Sequence, residues 1–212
     1  LALGYITLKI MEKVDFKDKI AVIKINGEIG TSGNILGNSG IDPDTILKFI
    51  QKANEDSTVK GGLIEINSPG GSVVGSKEIA DAVKGISKPK VALIRDVGAS
   101  GAYWVASSAD KIVADPMSVT GSIGVLGSYL EFSGLMEKYG VKYESMTAGK
   151  YKDLGGPYKN LTTDERALLQ SKLNQIYDFF VSEVAANRKL SREQTLKLAN
   201  GYIYLGTEAK DL

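Results

Sequence analysis

Three short runs of β-branched residues, each followed by a glycine-bearing turn and then a helix signal, set the folding problem for this chain. Ile20 to Ile25 reads as a buried strand, and Gly61 to Asn67 and Val91 to Arg95 read as two more. After the first comes a Gly/Ser/Asn loop, Thr31 to Gly40. Asp42 and Pro43 then supply an N-cap and a first-turn proline, and Ile46, Leu47, Ile50 and Ala53 recur at helical spacing. After the second, Ser68-Pro69-Gly70-Gly71 leads into a helix over Ser72 to Lys84. After the third, Gly98 to Ala109 is expected as a loop entering a helix of small residues, with Ile112 to Ala114 as a short strand. Strand and helix alternate, which predicts an α/β fold with mostly parallel pairing.

The second half changes character. Thr162 with Glu165 forms a capping box ahead of a long amphipathic helix whose face carries Leu169, Leu173, Ile176, Phe180 and Val184. Ser191 with Gln194 is a second capping box, and Gly201 is a stop for that helix. At 212 residues the chain suits one domain, with room for a small helical addition. Its 24 glycines exceed the average share of about 7% and call for tight turns and close backbone approaches.

What is missing excludes more than what is present. The chain has no cysteine, so disulfides and thiolate chemistry are excluded, and no histidine, so the commonest general base and metal ligand are absent. No metal and no cofactor is expected. A net charge of +1 without long like-charge runs argues against a nucleic-acid partner. No stretch approaches the ~20 apolar residues of a membrane span. The apolar start, Leu1 to Leu8, reads as a first strand, a tail, or the stump of an anchor removed upstream.

Four clusters could carry chemistry. Asn67-Ser68-Pro69-Gly70-Gly71-Ser72 could expose backbone N–H groups to an oxyanion, or be a plain Pro-Gly turn. Asp96 to Trp104 places Ser100 among small residues at a helix start, as a nucleophile or as a cap. Thr120 to Val125 is a glycine-rich strand or turn. Gly149-Lys150-Tyr151-Lys152-Asp153 carries lysines that are ordinarily solvated surface charges. A serine nucleophile needs a base, and lysine can serve when it is held neutral. If Ser100 is a nucleophile its partner is a lysine, and residue physics leaves every lysine eligible.

In their order, these segments resemble the signal peptide peptidase SppA family, Ser/Lys-dyad serine peptidases of the Clp/crotonase-like fold. The resemblance runs from about Lys19 to the C-terminus. It rests on Asn67 to Gly71, Gly98 to Tyr103, Ala109 to Ala114, Thr120 to Val125, Tyr151-Lys152-Asp153 and Leu161-Thr162. It implies an α/β fold of repeated β-β-α units with a mostly parallel sheet and a C-terminal helical addition. Residues 1–18 would be a stub left by a removed membrane anchor, and 19–212 a single peptidase domain. Ser100 stands at the family's nucleophile and Lys152 at its general base, with Lys150 as the alternative. Ser122 stands where a hydroxyl orients that lysine. Gly71 and Gly101 match oxyanion-hole donors, with Gly70 supporting the turn. The resemblance also implies extended apolar peptides such as cleaved signal peptides as substrates. It further implies a homo-oligomeric ring or dome in which serine and lysine can come from different protomers, and a membrane-anchored full-length protein with an extracytoplasmic catalytic domain. The rival readings are an acyl-CoA enzyme of the crotonase type, a protease of membrane proteins, and a non-catalytic membrane assembly module. Tyr103 and Trp104 either line or support an apolar groove or pack in the core, and core packing is the expectation.

Overall fold

The computed structural model describes residues 18–30 and 40–212. The expected stub, save Asp18, and the Gly/Ser/Asn loop, save Gly40, lie outside the described residues. Among the described residues six strands form one sheet: β1 (Lys19–Asn26), β2 (Val59–Ser68), β3 (Lys90–Ala99), β4 (Lys111–Ala114), β5 (Val119–Gly121) and β6 (Ile203–Leu205). The order is β1-β2-β3-β5-β6. The first part of β3 pairs with β4 and its last residues with β5. All pairings are parallel except β5 with β6. The sequence signals thus give the mostly parallel α/β sheet they predict.

Helices α1 (Pro43–Glu55), α2 (Val73–Lys84) and α3 (Gly101–Ser107) follow β1, β2 and β3. They cover one face of the sheet. Ile23, Ile25, Ile64, Ile66, Ala92 and Ile94 point to that face and meet Ile46, Ile50, Ile79, Val83 and Val105. On β1 only alternate residues are buried: Ile20 and Val22 are 61% and 52% exposed. The expectation of a wholly buried first strand therefore holds for one face only, because the covering helices pack on a single side.

Two boundaries differ from the sequence reading. Gly98 and Ala99 belong to β3 rather than to a loop, because they pair with Thr120 and Gly121. The strand continues until Ser100 turns it. The helix opened by the second capping box, α6 (Arg192–Leu198), ends three residues before Gly201. The chain then returns as β6 along β5 and closes with α7 (Gly206–Ala209).

Between β5 and the long helix α5 (Thr163–Arg188) lies an excursion, residues 125–160, whose only helix is the short α4 (Ser133–Lys138). None of the residues of α4 is buried. Both predicted capping boxes form, Thr162 with Glu165 and Ser191 with Gln194. The apolar face of α5 is buried at Phe180 and Val184, whereas Leu169, Leu173 and Ile176 are half-covered.

Candidate active site

Parallel strands deliver their carboxyl ends to one edge of a sheet, and ligand sites of α/β folds gather there. Here the edge is set by register. Ser68 pairs with Gly98, Gly98 with Thr120, and Ala99 with Gly121. The residues that leave the three strand ends are Pro69-Gly70-Gly71, Ser100 and Ser122. Ser100 and Ser122, 22 positions apart in sequence, thus follow a directly paired couple of strand residues. Ser100 N–H donates to the Gly121 carbonyl at 2.9 Å, and Ser122 N–H to the Tyr202 carbonyl at 2.8 Å.

Both serines adopt positive φ, 54° at Ser100 and 51° at Ser122. With ψ −125°, Ser100 turns β3 sharply into α3 and stands at its N-cap. A non-glycine residue held there costs about 1–3 kcal/mol, and such strain clusters at functional sites. The turn also needs glycines beside it. A Cβ at Gly70 (φ 99°) would sit 2.7 Å from the Gly101 nitrogen and 3.0 Å from the Ser100 Cβ. A Cβ at Gly71 (φ 154°) would overlap the Ile29 carbonyl. Ile29 N–H donates to the Gly70 carbonyl, and Ser72 N–H to the Ile29 carbonyl. This parallel bridge leaves the N–H of Gly71 directed the other way. Gly101 is the first residue of α3, so its N–H has no intrahelical acceptor. Asn67 braces this edge: its amide donates to Asp96 and its carbonyl accepts from Val97 N–H, both at 3.1 Å, across the irregularity between β2 and β3.

Two cavities meet at Ser100. One, of about 140 Å³, is lined by Gly71, Ser76, Gly101, Trp104, Ile176 and Phe180 among others. The second, wider at about 620 Å³, joins Ser100 to Ser122, Pro69, Tyr177 and Asn200. Gly71, Ser100, Gly101 and Ser122 are therefore brought together, with Gly70 packed beneath them. Trp104 is buried as expected and stacks on Phe180 with ring centroids 4.7 Å apart, but it also walls the smaller cavity. The sequence reading did not single out Ser76. The available signal was a polar residue on the apolar face of α2, in step with Ile79 and Val83.

Lys152 is not among the residues that line the cavities at Ser100 within one chain. It is exposed, in a run of turns, with its N–H bonded to the Gly149 carbonyl. Lys150 is also exposed, with its ammonium 5.0 Å from the centroid of the Tyr151 ring.

The turn that carries Lys152 is nonetheless anchored. The Lys159 ammonium donates to Asp153 and to Glu165, each at 2.8 Å, tying the residue after Lys152 to the cap of α5. The Lys159 bond, then the Thr162 N–H, hold the Glu165 carboxyl down at about 2, against an ordinary 4.5. Hydrogen bonds to both carboxylates raise Lys159 above its ordinary range. The Glu165 share of stability is thus full above pH 4.5 and is lost as pH falls through about 2. The Lys159 share is full below its ordinary pKa and is lost only above its raised one. Glu165→Gln keeps a cap but not the charge. Its denaturation midpoint is expected to fall less between pH 4.5 and 2 than that of the native protein. Equal slopes in the two proteins would dismiss the ion pair as a stabilising link.

Among the described residues no cluster of metal-binding side chains occurs, and no helix is long and apolar enough to cross a membrane.

The carboxyl edge of a mostly parallel α/β sheet thus presents a strained serine beside Gly71 and Gly101. The model of peptidase family S49 matches residues 82–212, and the chain belongs to that family. It is 39% identical over 91% of its length to a protein provisionally named a protease in Methanocaldococcus jannaschii. It is 35% identical over 96% to one provisionally named signal peptide peptidase SppA in Enterococcus faecium. It is 32% identical over 94% to Protease 4 of Haemophilus influenzae. The chain spans 64%, 61% and 32% of the lengths of these relatives.

Proposed function

We propose that this chain is the peptidase domain of a serine endopeptidase that cleaves extended apolar peptides, signal peptides among them, at a Ser100–Lys152 dyad. The observation that carries the reading is Ser100 itself, held at φ 54° on the strand edge beside the Gly71 and Gly101 N–H groups. Names given to relatives, SppA and Protease 4, favour a peptidase over an acyl-CoA enzyme.

Lys152 takes the proton of Ser100 as its Oγ bonds to the peptide carbonyl carbon. The carbonyl π pair moves onto oxygen, where the Gly71 and Gly101 N–H groups stabilise it. The intermediate collapses, the C–N bond breaks, and the ammonium of Lys152 protonates the leaving amine. Water then attacks the ester, with Lys152 again as base, and frees Ser100. Ser122 orients the lysine. The cavity walled by Trp104, Ile176 and Phe180 takes one substrate side chain.

A shared site in a homo-oligomeric ring or dome reconciles this chemistry with the position of Lys152. What supports it is the excursion over residues 125–160, which exposes Leu126, Leu130, Leu135, Tyr139 and Met146 by 55–100%. Apolar surface of that extent calls for a covering partner. A neighbouring copy would cover it and receive Lys152 at its own Ser100. In the full-length protein an N-terminal anchor would hold the domain at a membrane.

The test is labelling with a fluorophosphonate, a reagent for activated serines. The expected result is a single adduct, mapped to Ser100, together with loss of cleavage of an apolar peptide. Absence of an adduct in an assembled, folded protein would point instead to the acyl-CoA or assembly-module readings.

A further inference from the structure

Ser76 carries a buried polar group to which the site described above gives no role. It is 1% exposed, and its Oγ has no hydrogen-bond partner among the described residues. A serine inside a helix commonly bonds its hydroxyl to the carbonyl four residues back. Here the Ser72 carbonyl takes only the Ser76 backbone N–H, at 3.0 Å. Alanine would be a better helix former and would leave no polar atom uncompensated. A hydroxyl persists where stability alone favours its removal.

Its position suggests why. A Cβ added to Gly101 would overlap the Ser76 hydroxyl and lie 3.6 Å from the Gly71 nitrogen. The hydroxyl therefore borders Gly101, with the Gly71 nitrogen on the same side of that glycine, and all three residues line the cavity at Ser100. Trp104 also lines this cavity and its Nε1 has no partner among the described residues, but its ring is committed to Phe180.

We infer that the Ser76 hydroxyl is a third hydrogen-bond donor to the oxyanion, a role that rests on the reading of Ser100 as nucleophile. Within the chain the hydroxyl has no protein partner among the described residues. As Ser100 Oγ bonds to the carbonyl carbon and the π pair moves onto oxygen, Ser76 O–H donates to that oxygen alongside Gly71 and Gly101. When the C–N bond breaks the carbonyl re-forms, and Ser76 keeps its proton throughout. A donor that finds its acceptor only in the transition state lowers the barrier without tightening substrate binding.

The experiment compares Ser76→Ala with the native chain in its assembled form. The kcat for an apolar peptide is expected to fall at least about tenfold, toward the roughly 100-fold that loss of one oxyanion donor costs elsewhere. KM should stay within about twofold, and the melting temperature should be unchanged or higher. Labelling of Ser100 by a fluorophosphonate, whose P=O oxygen occupies the same hole, should slow in parallel. An unchanged kcat, an effect confined to KM, or a melting temperature that drops with the rate would each overturn the inference. If the native chain shows no Ser100 adduct at all, the nucleophile reading itself fails. Equal labelling rates in both proteins sink only the role of Ser76.

Discussion

Ser100→Ala is expected to lower kcat by at least about 10,000-fold, in line with loss of the nucleophile in other serine peptidases. The chain has no cysteine or histidine to substitute for it, so the residual rate should be only what binding and the oxyanion donors supply. Stability provides a second, opposite readout. Alanine keeps a Cβ and therefore keeps the strain of φ 54°. Ser100→Gly removes it and is expected to raise unfolding stability by about 1 kcal/mol, after the entropic penalty that glycine brings. Both variants should be inactive, and only the glycine variant should be more stable. Turnover of an apolar peptide and denaturant midpoints measure the two effects. Near-native turnover in either variant would remove Ser100 from the chemistry. A glycine variant no more stable than the native chain would mean that the turn is not strained.

The sequence makes the frame of this fold legible because burial leaves a periodic signature. Ile23 and Ile25, Ile64 and Ile66, and Ala92 and Ile94 alternate on adjacent strands, and each strand is punctuated by glycine. The capping boxes at Thr162 and Ser191 were equally plain, since the side chains that cap a helix lie three residues apart. The meeting of Ser100 with Ser122 was not legible from residue pattern alone. It depends on which strands pair and in what register, a long-range property with no local trace. Resemblance to a family supplied what periodicity could not. The extent of β3 was misjudged because Gly98 is a poor strand former, yet its hydrogen-bonded neighbours Ser68 and Thr120 keep it in the sheet. Ser76 is easily read as a cap because it is a small polar residue near a helix start; its place on the apolar face of α2, in step with Ile79 and Val83, and its burial set it apart. The excursion over 125–160 has apolar residues without a consistent period, so its path leaves no periodic trace in the sequence.

Lys152→Met is expected to match Ser100→Ala in its loss of turnover, while Lys150→Met retains most of the native rate. Methionine keeps the length and apolar stem but cannot move a proton. The informative measurement is made on a mixture. The shared-site reading places the base of each Ser100 on the neighbouring copy, across a head-to-tail interface. Suppose inactive Ser100→Ala and inactive Lys152→Met chains are dissociated, combined in equal amounts and reassembled. A Lys152→Met chain still offers an intact Ser100, and a Ser100→Ala neighbour still offers an intact Lys152. Random order around a closed ring restores such a pair at about a quarter of the interfaces, so about a quarter of the native activity should return from two dead proteins. If serine and lysine belong to the same chain, every site in the mixture lacks one of them and nothing returns. Either variant mixed with itself controls for reassembly. Lys152 stands exposed in a turn clamped by Lys159, Asp153 and Glu165, and it lines neither cavity at the Ser100 of its own chain. Recovery on mixing is therefore the expected result, and a mixture that stays silent would require the 125–160 excursion to fold back onto its own sheet edge.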